Sequence, residues 1–328
     1  MSTTQPLFPI YIREGRNRRR YQSGYIDAAG IVVVEPRFNH ALPFSEGLGS
    51  VQIGKKWGAI DTGGAIVIAP NSDGPLYFSE GRSDFYSDGK CGVLNREGTV
   101  VVQPKYRSVG NFHEGHAWAS SLPPQKAYGF LDLNGREAIP LFFDDARSYS
   151  EGMAPAKLEG KWGYIGKTAR FVIAPQFDAC LPFSEGLGRV LAGKLWGYID
   201  HAGEFEIQPQ FESAHDFHEG LSAARLGNAW GFINRRGEFQ IKPSFRYAGF
   251  FSDGVSSAQL IDRRDGAFGF IDHQGTFVIP PKFFEADRFH HGRCLVTTDR
   301  EIAYIDHQGE FVWRGPLVEV SIRSPLPF

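Results

Sequence analysis

Cysteine is scarce in this chain: Cys91, Cys180 and Cys294 are far apart and sit in three different contexts. An odd, scattered set gives neither a disulfide framework nor the paired spacing of a zinc site, so these residues read as small apolar fillers. No stretch of about 18 apolar residues exists, and no transmembrane helix or membrane partner is expected. Residues 1–6 are polar and lack the apolar core of a signal peptide, which leads to the expectation of a cytoplasmic protein. Charge of one sign is missing too. With 35 Lys and Arg against 37 Asp and Glu, the net charge is −2, and there is no global pull toward nucleic acid. Walker loops, Gly-x-Ser-x-Gly elbows, His-Glu-x-x-His and paired-cysteine motifs are all absent from the sequence. The expectation is therefore a non-enzymatic protein with no catalytic residues, no cofactor, no metal and no small-molecule ligand.

What is present in excess is glycine, phenylalanine and proline, at 39, 28 and 20 residues. They are spaced periodically, which suits short strands and frequent turns. The pattern Trp-Gly-aromatic-Ile-Asp-x-x-Gly is clearest at Trp57, Trp162, Trp196 and Trp230. Degenerate copies start at Ser23, Cys91, Tyr128, Phe268 and Ile302. Starts lie 34 residues apart, except for steps of 37 and 38 before Tyr128 and Phe268. A fixed period of this length marks a repeat architecture. Residues that keep register are then expected to build the repeat, and departures from register are where function is sought.

One unit, residues 187–220, shows the reading. Residues 187–191 and 196–200 are expected strands joined by a turn at 192–194. Asp200-His201-Ala202-Gly203 is a turn in which the carboxylate bonds its own amides and glycine takes a positive φ. Residues 205–207 form a third strand that Pro209 is expected to end. The connector around Phe211, Ala214 and Phe217 reads equally as a fourth short strand or a helical turn. The slot holding Ile199 is aliphatic in all nine copies, as expected of a continuous core, and a second slot runs from Val34 to Trp313. The glycine after each Trp is expected to let the next layer's aromatic ring approach the backbone. Glu46, Glu80, Glu114, Glu151, Glu185 and Glu219, with Asp253, keep strict register, which favours turn capping over a carboxylate cluster. His201, His273 and His307 share one turn slot and are read as turn residues in preference to metal ligands. One copy departs, with Gly166 and Ala169 in place of the turn's Asp and Gly. Ala169 is expected in a strained left-handed conformation.

The recurrence of Lys/Leu-Trp-Gly-Tyr-Ile-Asp with Phe-Ser-Glu-Gly-Leu at a fixed offset resembles the WG (KWG) repeat family of bacterial proteins, over residues 7–313. The resemblance implies an all-β repeat protein associated with protein interaction, and it brings no catalytic residues. The expected architecture is a single domain over residues 1–328, with 314–328 as a tail. About nine antiparallel units would stack as an open, curved, solenoid-like array, with a closed propeller-like ring as the alternative. The turn between the first and second strands is basic. It holds Arg16, Arg18, Arg19 and Arg20 in the first unit and lysines in later ones, and both insertions that lengthen the period fall in it, bringing Lys126, Arg263 and Arg264. Insertions gathered on one edge suggest a binding face. The expected partner is a protein with an acidic surface, in an adaptor or, by analogy alone, a toxin-neutralising immunity protein. Nucleic-acid binding through the same turns and a glycan-acting enzyme on a ring scaffold are the alternatives.

Overall fold

The structure, a computed structural model, describes residues 6–13, 21–262 and 266–317. Every regular element among these residues is a β-strand. The strands divide into two compact units, Met1–Pro175 and Gln176–Phe328.

Each repeat is an antiparallel meander. In the second unit, Ala179–Ser184, Leu187–Ala192, Leu195–Ile199 and Phe205–Phe211 form one four-stranded sheet in that order. The connector is thus a strand, and it is the edge strand of the sheet that follows it in sequence. It is six residues long here and only two long at Ser213–Ala214. Where Phe239–Ser252 runs unbroken, third strand and connector fuse and two repeats share a seven-stranded sheet.

The aliphatic column is buried as expected: Ile60, Leu131, Ile165, Ile199, Ile233, Ile271 and Ile305 are all fully enclosed. Around it the aromatic residues repeat a single contact. Tyr25 meets Phe44, Phe130 meets Tyr149, Tyr198 meets Phe217, Phe232 meets Phe251 and Phe270 meets Phe289, each edge to face at 4.7–5.0 Å between ring centres. This is the preferred geometry of ring quadrupoles, and each contact ties the second strand of one sheet to the connector of the next. Full burial of such side chains contributes roughly 1.5–3 kcal/mol each.

Two expectations are corrected. Pro209 does not end the third strand, which continues to Phe211. The strand bulges instead: Trp196 pairs with Phe211 and Tyr198 with Ile207, so two residues of the second strand oppose four of the third. A bulge is where a strand tolerates proline. The glycine after Trp does not make room for the next layer's ring either. A Cβ at Gly197 would lie 2.7 Å from the Ile207 carbonyl oxygen and 2.8 Å from the Pro209 nitrogen, and at Gly58 the carbonyl of Ile68 would be 2.4 Å away. The bulge of the sheet's own third strand occupies that space. The ninth repeat supplies the contrast. Ala303 replaces the glycine, Gly315 stands at the position of Pro209, and the strands pair without a break from Glu301↔Pro316 to Tyr304↔Trp313. Trp-Gly and the downstream proline are two halves of one packing feature.

Candidate functional site

The polar residues that keep register turn out to hold neighbouring repeats together. The Asp column behaves as expected: Asp200 Oδ1 accepts the amides of Ala202 and Glu204 at 2.9 Å, and Asp27, Asp61, Asp132, Asp272 and Asp306 do the same in their own turns. The Glu column does something different. Its carboxylates cap the turn of the following repeat, not their own. Within the first unit Glu46 accepts the amide of Gly81 at 2.9 Å, Glu80 those of Glu114 and Gly115 at 2.7 Å, and Glu114 that of Gly152 at 3.0 Å. Within the second, Glu185, Glu219 and Asp253 accept from Gly220, Gly254 and Gly292. The preceding serine repeats the link: Ser184 and Ser252 hydroxyls donate to the carbonyls of Phe217 and Phe289 at 2.7 Å. Phe-Ser-Glu-Gly-Leu is therefore an interlock between sheets. Each acid sits at a φ of 52–53°, a conformation that costs a non-glycine residue roughly 1–2 kcal/mol. The carboxylate bridge offsets that strain.

The second residue of each of these turns closes the same interlock. Arg96 donates to the Glu46 carbonyl at 2.6 Å, Lys167 approaches the Glu114 carboxylate at 3.5 Å, and Arg235 donates to the Glu185 carbonyl. His273 Nε2 lies 3.2 Å from the Glu219 carboxylate and His307 Nε2 lies 2.9 Å from the Asp253 carbonyl. The rings of His201, His273 and His307 stack on Phe183, Phe251 and Phe289 at 4.2–4.4 Å. Packing and interlock account for this histidine column. No grouping of three or more metal-ligating side chains occurs among the described residues.

Of the residues proposed for the basic edge, Arg16, Arg18, Arg19, Arg20, Arg263 and Arg264 lie outside the described residues. Lys126 is exposed, as are Lys55, Lys90 and Lys194 in the equivalent hairpin turns. The same turns carry an acidic partner that sequence reasoning missed. Asp144 and Asp178, just past the third strands, accept the turn amides of Gly160 and Gly193 at 3.0 and 2.8 Å, and Asp73 pairs with Lys56 at 2.5 Å. In the hairpin of Lys56, lysine charge is set beside carboxylate charge.

A second place breaks register. Where two connectors read Leu-Pro (Leu42-Pro43, Leu181-Pro182), the next one after Leu181 has His215-Asp216, and Arg189 stands where Ser50 and Ser257 stand elsewhere. Arg189 Nε donates to Asp216 at 2.9 Å, its Nη1 donates to the Ala214 carbonyl, and its guanidinium lies 4.9 Å over the Trp196 ring. His215 packs between Trp230 and Phe250 at 4.8 and 4.7 Å. Its carbonyl receives the hydroxyls of Tyr198 and Ser222, both at 2.7 Å. Burial, then the nearby Arg189 and His218, push the His215 imidazole down to about 4, so it is neutral at physiological pH. In the first unit Asp84 occupies the Arg189 slot, and burial pushes its carboxyl up to about 7. Aligning the connectors would have set His215 beside Leu42 and Leu181, but the same slot also holds Arg147 and Asp287, so sequence alone does not single it out.

The model of the WG containing repeat matches residues 24–57, 57–91, 92–120, 128–162, 162–196, 196–228, 230–260 and 268–299. No curated protein matches. Among solved structures, one described as the eukaryotic initiation factor is similar at 13% identity over 96% of this chain and 96% of that one, with a TM-score of 0.64. Dihydro-heme d1 dehydrogenase NirN in complex with DHE has 13% identity over 80% and 71%, with a TM-score of 0.49. Apo AztD from Citrobacter koseri has 13% identity over 96% of both chains, with a TM-score of 0.44. At these identities the first likeness concerns fold alone, and the other two carry no argument. The eight matched segments, with the Trp-Gly and proline packing and the Ser-Glu-Gly interlock that recur through them, make this chain a member of the family built from WG-containing repeats.

Proposed function

We propose that the chain is a non-enzymatic interaction protein that engages a protein partner with an acidic surface through the edge formed by the first-to-second-strand hairpins. The observation that carries this reading is the division of labour among side chains. Polar residues in register are occupied within and between repeats, whereas both departures in repeat length fall on that one edge, beside Lys126 and the Arg263-Arg264 pair. Exposed lysines at successive hairpins add steering charge, which Asp73 offsets at Lys56. Exchange of Arg18, Arg19, Arg263 and Arg264 for Glu is expected to remove specific partners in pull-down from cell lysate. An unchanged partner set would remove the edge from the proposal. A partner that is nucleic acid, with affinity falling steeply as salt rises, would replace it with the alternative reading.

The arrangement of the sheets belongs to the same proposal. A four-stranded antiparallel meander is the sheet from which propeller blades are made, which supports the closed ring over the open array suggested by the short 34-residue spacing. Small-angle X-ray scattering separates the two, an extended profile being the outcome that sinks the ring.

A further inference from the structure

We draw no further inference here: the strongest candidate, the cluster of Arg189, His215, Asp216, Trp230 and Phe250 in the second unit, turns its charged groups and rings on one another within the protein, and nothing in the structure shows what would bind it.

Discussion

Ala169 adopts a φ of 62°, in the slot where Gly203 and Gly237 have 87° and 78°. Its methyl group is only partly buried against the cluster around Ile139 and Phe143, so what it contributes by burial falls short of the ~0.8 kcal/mol of a fully enclosed carbon. Left-handed strain of ~1–2 kcal/mol outweighs that. Ala169→Gly is therefore expected to stabilise by about 1 kcal/mol in urea unfolding, and a lower midpoint would show the balance to be wrong. Gly58→Ala should act in the opposite sense. Its Cβ would press on the Ile68 carbonyl, a backbone overlap expected to cost about 1–3 kcal/mol. Ala303→Gly, where no bulge needs the space, should cost the ~0.5–1 kcal/mol of added chain freedom and about 0.8 kcal/mol more for the loss of a fully buried methyl.

Two half-buried groups give opposite pH slopes. His215 charges in the unfolded chain at its ordinary value of 6.5 but resists protonation in the fold until about 4. Its contribution is complete above 6.5 and is lost as pH falls toward 4. Asp84 ionises at its ordinary 3.8 when unfolded and at about 7 when folded, so its contribution is complete below 3.8 and is lost as pH rises through 7. Each amounts to on the order of 3–4 kcal/mol at most, and less where water reaches the group. His215→Leu, restoring the residue of Leu42 and Leu181, should flatten the acid side of a stability–pH curve, and Asp84→Asn the neutral side. Curves that superpose on the wild type would mean that neither side chain is as enclosed as described.

At the scale of the element, the strands and their order were largely legible, and the linkages between them were not. Alternation placed Phe205 and Ile207 on a strand, and the Asp-to-Gly turn was readable because the Asx turn is local. The Trp-Gly and proline feature was hidden because its halves, Gly197 and Pro209, are twelve positions apart in the sequence, and only the bulge brings them together. Glu80 was harder still. In a repeat, its own turn and the next one present the same amides in the same register, so periodicity alone does not say which turn it caps. Amide hydrogen exchange does. Glu80→Gln, which keeps the shape but weakens the acceptor, should lose about 1 kcal/mol and speed exchange at Glu114 and Gly115. Faster exchange confined to Gly81 would restore the own-turn reading.

For the whole molecule, repetition makes the scaffold easy to read and the function hard to read. Nine copies average out the building residues, so a column such as Ile199 and Ile233 identifies itself. A binding surface is made of exceptions, and each exception is seen once. The basic hairpins were visible as exceptions of length. Arg189 and His215 sit in columns whose residues vary from copy to copy, with Asp84 in one and Arg147 and Asp287 in the other, so nothing in the sequence set them apart. The two units also differ in how they close the interlock. The first uses Arg96 and Lys167, while the second uses Arg235 once and histidine at two further points.

The interlock also has a direction. Glu46 serves Gly81, and Glu219 serves Gly254, each thirty-five residues ahead. During synthesis, a carboxylate that leaves the ribosome must wait for a turn that has not yet been translated. Every newly made repeat is thus unfinished until its successor appears, and growth of the folded part is paced by translation from the amino-terminal side.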